Sequence, residues 1–199
     1  WAAQFPDIVN AILPFCSSAK TSPHNFVFLE GVKAALCADQ NWNEGDYTSP
    51  PIKGLKAFAR VYAGWAFSQT FYRKKLYKKL GFNTIEDLLL DWEKDHIQNW
   101  DANDLLAKIA TWQANDISIG PSYKSDIMHA LQSIRARSII ISCTQDLYFP
   151  PEDNVIEAQH IPNVELRPYD SPLGHCVANP GNDPSFEAAL DKGIHDLLE

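Results

Sequence analysis

Two residues near the end of the chain carry the clearest chemistry. Asp146 follows directly on the apolar run "ARSIIISCTQD", and His175 sits in the turn "SPLGHCVANP" after the next strand-like segment, "NVELRPYDS". A carboxylate that accepts a hydrogen bond from one imidazole nitrogen fixes the ring's tautomer and stabilises its protonated form. The other nitrogen is then left to take a proton from a nucleophile. An acid ahead of a histidine, each at a strand end, fits the later two members of a triad whose serine comes first in the chain. Plainer roles compete: Asp146 as a helix cap and His175 as an ordinary turn residue. The serine is missing, because no Gly-x-Ser-x-Gly turn occurs anywhere in the sequence. Ser17 and Ser18 follow the first strand and Cys176 adjoins His175, but a nucleophile needs both a base in reach and an oxyanion site.

The elements that must position Asp146 and His175 read as an α/β arrangement. "DIVNAILPF" is a short apolar run consistent with a buried strand, and the longer run at 136–143 fits a strand covered on both faces, as in a parallel sheet. Between them lies a helical block over 21–135. From Pro23 the pattern places Phe26, Leu29, Val32 and Leu36 on one helical face. The aromatic stretch from Leu55 to Leu80 forms one or two helices stopped by Gly81. Thr84 and Asp87 have capping-box spacing, and Ser125 is placed to cap "SDIMHALQSI". The chain closes with a helix that Asp183 caps and Pro184 begins. No repeat or interdomain linker interrupts this order, so residues 1–199 read as a single domain.

Composition narrows the function classes. With Lys+Arg 17 against Asp+Glu 25, the net charge of -8 opposes binding to nucleic acid, and the basic cluster "YRKKLYKKL" reads as a solvated helix face. No apolar run reaches membrane-spanning length, so no membrane partner is expected. The four cysteines lack Cys-x-x-Cys or zinc-type spacing. With His24, His96, His129, His160 and His195 scattered, no metal site is expected, and free thiols point to a cytoplasmic protein.

The segments "TQDLYFPPED" and "SPLGHCV", with "GLKAFARVYAGWAFSQTFYRK" and "DANDLLAKIATWQANDIS", resemble the homoserine O-acetyltransferase family of α/β-hydrolases over nearly the whole chain. The resemblance implies the carboxyl-terminal part of an α/β-hydrolase fold, with parallel strands and a helical lid insertion at 21–135. It places Asp146 and His175 on the catalytic acid and base of an acyl-enzyme mechanism. It implies acetyl-CoA as acyl donor, with no bound cofactor, and a small-molecule alcohol as acceptor. It reads "WAAQFPDIV" as the end of the helix after the nucleophile turn. The serine would then belong to a missing amino-terminal portion or a complementary chain, and a bare sheet edge would favour a homo-oligomer. Arg60 falls where the family binds the acceptor's carboxylate. Phe67 and Cys176 stand where it has a tyrosine and an aspartate, which argues against homoserine and for a less polar alcohol or water. The alternative is a non-catalytic truncated lobe that binds a small molecule or a partner chain.

Overall fold

The apolar run at 137–143 becomes the middle strand of a parallel sheet. In the computed structural model, which describes residues 1–199, β1 (Ala11–Ile12), β2 (Arg137–Ile140) and β3 (Val164–Leu166) lie in the order β1-β2-β3, all parallel. Ile12 lies opposite Ser138, and Ile140 opposite Leu166. Single bridges from Phe15 to Ile141 and from Cys143 to Tyr169 carry the pairing past the regular strands, toward Asp146.

Both faces of β2 are covered, which is why its sequence does not alternate. Ile139, Ile141 and Cys143 pack with Val177 and with Phe186 of α8 (Pro184–Leu198). On the other face Ile140 packs with Ala2, Ala3, Tyr123 and Ile161, and with Ala130, Leu131 and Ile134 in and after α6 (Ile127–Gln132). Burying each such aliphatic side chain stabilises the fold by about 1.5–3 kcal/mol. The strand is therefore the anchor of its unit.

Two compact units are present: Trp1–Lys20 with Asn115–Glu199, which carries the sheet, and Thr21–Ala114, which is helical. The helical block expected over 21–135 thus ends earlier. Residues 115–135 belong to the sheet unit because Ile117, Tyr123, Leu131 and Ile134 feed the core around Ile140.

The helical unit comprises α1 (Pro23–Cys37), α2 (Ile52–Ala66), α3 (Gln69–Arg73), α4 (Ile85–Asn99) and α5 (Ala102–Gln113). Thr84 and Asp87 form the expected capping box, and Gly81 has the left-handed φ of +92° that stops the preceding turns. Two local expectations are corrected. Phe26 is exposed, and the buried face of α1 runs instead through Asn25, Phe28, Leu29, Val32 and Leu36, because Phe28 is drawn into ring contacts with Tyr62, Trp65 and Trp112. Ser125 adopts a left-handed φ of +66°, and Asp126 caps α6 by accepting from the His129 amide. None of the helices is long and apolar enough to cross a membrane.

Helices α1 and α2 approach each other at Gly54. A Cβ there would fall 2.4 Å from the Leu36 carbonyl oxygen, whereas one at Gly64, on the same helix, would meet nothing within 4 Å. Gly54→Ala should therefore destabilise the protein by about 1–3 kcal/mol through overpacking. Gly64→Ala should stabilise it by about 0.5–1 kcal/mol through helix propensity. Urea unfolding of the two variants gives opposite shifts in midpoint if this packing is correct.

Candidate active site

The turn that follows β2 is organised by one carboxylate. Asp146 Oδ1 accepts the backbone N–H groups of Tyr148 at 2.8 Å and Phe149 at 3.1 Å, which closes the chain into an Asx-type turn leading to α7 (Pro151–Ala158). Its other oxygen, Oδ2, lies 2.9 Å from His175 Nδ1. One oxygen of Asp146 thus holds the turn and the other meets the imidazole.

His175 is brought there by the connection after β3. Backbone bonds from Tyr169 to the Ser142 carbonyl (2.8 Å) and from Thr144 to the Tyr169 carbonyl (2.9 Å) continue the sheet pairing into both loops. Asp170 then ties the loops through side chains, accepting from Thr144 Oγ1 at 2.6 Å and Gln145 Nε2 at 2.9 Å. Gly174 has φ +61°, a left-handed conformation that a side chain would oppose, and it opens the 3-10 turn Gly174–Ala178 on which His175 sits.

The carboxylate side chain of Asp146 is fully buried, while the His175 side chain keeps 28% of its surface exposed. With the carboxylate as acceptor, Nδ1 carries the hydrogen, so a neutral ring offers Nε2 as a proton acceptor. The Tyr148 and Phe149 rings flank the imidazole at 4.7 and 5.5 Å between centroids. One short turn therefore supplies both the amides that hold the acid and the rings that pack against the base. Asp170, Tyr148 and Phe149 were not singled out from the sequence. Asp170 follows β3 much as Asp146 follows β2, and that was the only signal available.

Such a pair at the carboxyl ends of adjacent parallel strands lies where sites collect in open α/β sheets. No protein-family model matches the chain. Among curated proteins it is 30% identical over 200 residues to an ethyl acetate hydrolase of Pseudomonas veronii, covering 100% of the chain and 56% of that protein. It is 31% identical over 189 residues to a homoserine O-acetyltransferase of Trichormus variabilis, covering 88% of the chain and 49% of that protein. The crystal structure of an acetylester hydrolase from Corynebacterium glutamicum superposes with a TM-score of 0.92 at 28% identity, over 99% of the chain and 56% of its own. The chain has the α/β-hydrolase fold, and its relatives are homoserine O-acetyltransferases and esterases. It corresponds to the carboxyl-terminal portion of that fold and spans about half the length of these relatives.

The three family positions expected to contact substrate are all engaged within the protein. Arg60, on α2, donates from Nη1 and Nη2 to both oxygens of Glu86 at 3.2 and 2.6 Å, and from Nε to Glu93. Glu93 also pairs with Lys56 at 3.3 Å. Two cations and two carboxylates leave this cluster neutral, and the hydrogen bonds that Arg60 donates to Glu86 and Glu93 raise its pKa further above the ordinary value. Phe67 is buried in the helical unit and stacks on Phe71 at 4.0 Å between centroids.

Cys176 is buried beside the acid. Burial first, and the Asp146 charge second, push its thiol up to about 12. Burial likewise raises Cys143 to about 11, with Asp146 contributing, and raises Cys16. None of these thiols forms a thiolate nucleophile near neutral pH. Ser18 donates its hydroxyl to the Lys20 carbonyl at 2.9 Å. No group of three or more His, Cys, Asp or Glu side chains is arranged to hold a metal ion.

The buried thiols make a prediction with a definite sign. Their folded pKa values lie above the ordinary 9.0, so their contribution to stability is complete below pH 9 and is lost as pH rises toward 11–12. Cys176→Ala should flatten the fall in unfolding free energy over that window. At pH 8, a chromogenic disulfide reagent should titrate at most the half-buried Cys37 in native protein and all four thiols after denaturation.

Proposed function

We propose that this chain supplies the acid and base of an acyl-transfer hydrolase, with Asp146 and His175 completing a Ser-His-Asp triad. The 2.9 Å contact between His175 Nδ1 and a fully buried Asp146 carries the reading, because no surface role requires a carboxylate to be desolvated against an imidazole. The serine comes from polypeptide outside these 199 residues, in keeping with the absence of a nucleophile turn in the sequence. In the reaction, His175 Nε2 takes the serine proton as the oxygen attacks an ester or thioester carbonyl, and returns it to the departing alkoxide or thiolate. An incoming water or alcohol then gives its proton to the same nitrogen as it attacks the acyl carbonyl, and the ring passes that proton to the serine oxygen as the acyl group leaves it. Asp146 holds the ring and balances its positive charge throughout.

Short-chain acetyl esters are the favoured donors and water the favoured acceptor. Two relatives that match essentially the whole of the chain are named for acetyl ester hydrolysis. Within the helical unit, Arg60 is paired with Glu86 and Glu93 in a cluster that, with Lys56, has no net charge to offer an amino acid's carboxylate. Phe67 lacks a phenol and Cys176 lacks a carboxylate, so a polar acceptor such as homoserine loses both partners. Acetyl-CoA remains chemically competent as a thioester donor. The non-catalytic lobe has no comparable observation in its favour.

The test uses p-nitrophenyl acetate and the protein that joins these residues to the nucleophile-bearing segment. Asp146→Asn should lower kcat by about 10⁴-fold and His175→Ala by at least as much, with little change in KM. The 199-residue chain alone should show no enzymatic turnover. Full activity in either variant would refute the proposal, and acetyl transfer from acetyl-CoA to homoserine outrunning hydrolysis would overturn the assignment of water.

A further inference from the structure

Asp183 was expected only to begin the last helix, and it does so, accepting the Ser185 and Phe186 amides of α8 on Oδ1 at 3.1 and 3.2 Å. The same carboxylate has two further donors that a cap does not need. Oδ1 accepts the Tyr169 hydroxyl at 3.1 Å, and Oδ2 accepts the hydroxyl of the buried Ser171 at 3.2 Å.

Tyr169 and Ser171 bracket the start of the loop that presents His175. Tyr169 is the β3-side residue bridged to Cys143 beside the acid. Ser171 accepts the Leu173 amide on its hydroxyl oxygen at 3.3 Å, and its carbonyl accepts the Gly174 amide at 3.3 Å and the Cys143 thiol at 3.7 Å. The hydroxyl oxygen and the carbonyl of Ser171 thus both hold the turn that ends at Gly174, immediately before the histidine. From the far side, Asn182 donates to the Cys176 carbonyl at 2.9 Å and so ties the Asp183 end of the loop to the residue after His175.

The geometry points to Asp183 as the positioning residue for His175: its second oxygen, through Ser171, sets the register in which the imidazole meets Asp146. The inference rests on the acyl-transfer reading for its catalytic consequence. The Tyr169 phenol, raised by burial and then by its bond to Asp183, stays a hydrogen-bond donor throughout the working range. Helix start and base loop are consequently one device, and a motion of α8 would be felt at the imidazole.

Asp183→Ser separates the two roles, because serine caps helices about as well as aspartate but is shorter and has no second oxygen for Ser171. In the protein joined to its nucleophile segment, Asp183→Ser and Ser171→Ala should each lower kcat about tenfold or more at unchanged KM. The double variant should be no worse than either single one. In the 199-residue chain, the downfield proton of the His175 Nδ1–H to Asp146 bond should weaken or vanish in both variants, while thermal unfolding midpoints stay near that of the parent. A parental kcat and an unchanged proton signal in Asp183→Ser would overturn the positioning role. So would a loss of kcat that merely tracks a loss of folding with the signal intact. If the signal responds as expected but no preparation hydrolyses esters, Asp183 still positions His175 and the acyl-transfer reading is the one that fails.

Discussion

The hydrogen bond between Asp146 and His175 is the constraint to which the rest of the sheet unit is fitted. A carboxylate out of contact with solvent is costly unless its oxygens are occupied, and here two backbone amides take one oxygen and the imidazole takes the other. Each donor is itself fixed by the fold. The amides belong to a turn that the Asp146 side chain closes, and the imidazole belongs to a turn that Gly174 opens in its left-handed conformation. The imidazole therefore helps to satisfy the buried acid, and the acid helps to orient an imidazole that its own loop already brings into reach.

Sheet pairing sets the distance between them. β2 and β3 are short, yet their pairing continues as isolated bonds through Cys143 and Thr144, and Asp170 adds side-chain links beyond the last backbone bond. The two loops thus leave the sheet already joined. Three buried thiols, Cys16, Cys143 and Cys176, lie close enough to the acid for its charge to add to the effect of burial, and both keep them protonated near neutral pH. The helical unit spends its polar groups differently. Arg60 closes an internal ion network, and the rings of Phe67 and Phe71 stack as core, so both features serve that unit's own stability.

Much of this was legible in the sequence because it depends on local chemistry. An acid and a histidine placed directly after apolar runs, a Thr-x-x-Asp box, and an Asp-Pro pair before an amphipathic stretch each announce themselves within a few residues. What escaped was set by partners distant in the chain. Arg60 meets carboxylates 26 and 33 residues downstream, and nothing in its neighbourhood selects them. Phe26 and Phe28 are equally apolar, and only the rings of Tyr62, Trp65 and Trp112 decide which one is buried. The end of the helical block was misplaced for the same reason. Residues 115–135 are a polar, turn-rich segment with one short helix, yet they contribute their few apolar side chains to the sheet's core.

Which nitrogen of His175 carries the hydrogen decides whether Asp146 orients the ring for proton uptake. Long-range proton–nitrogen correlation of the imidazole at a pH where the ring is neutral reads this directly. The structure predicts the Nδ1–H tautomer, the less common form of free histidine, held by Asp146 and lost to the Nε2–H form in Asp146→Ala. An Nε2–H ring, or one exchanging freely between tautomers in the parent protein, would contradict it.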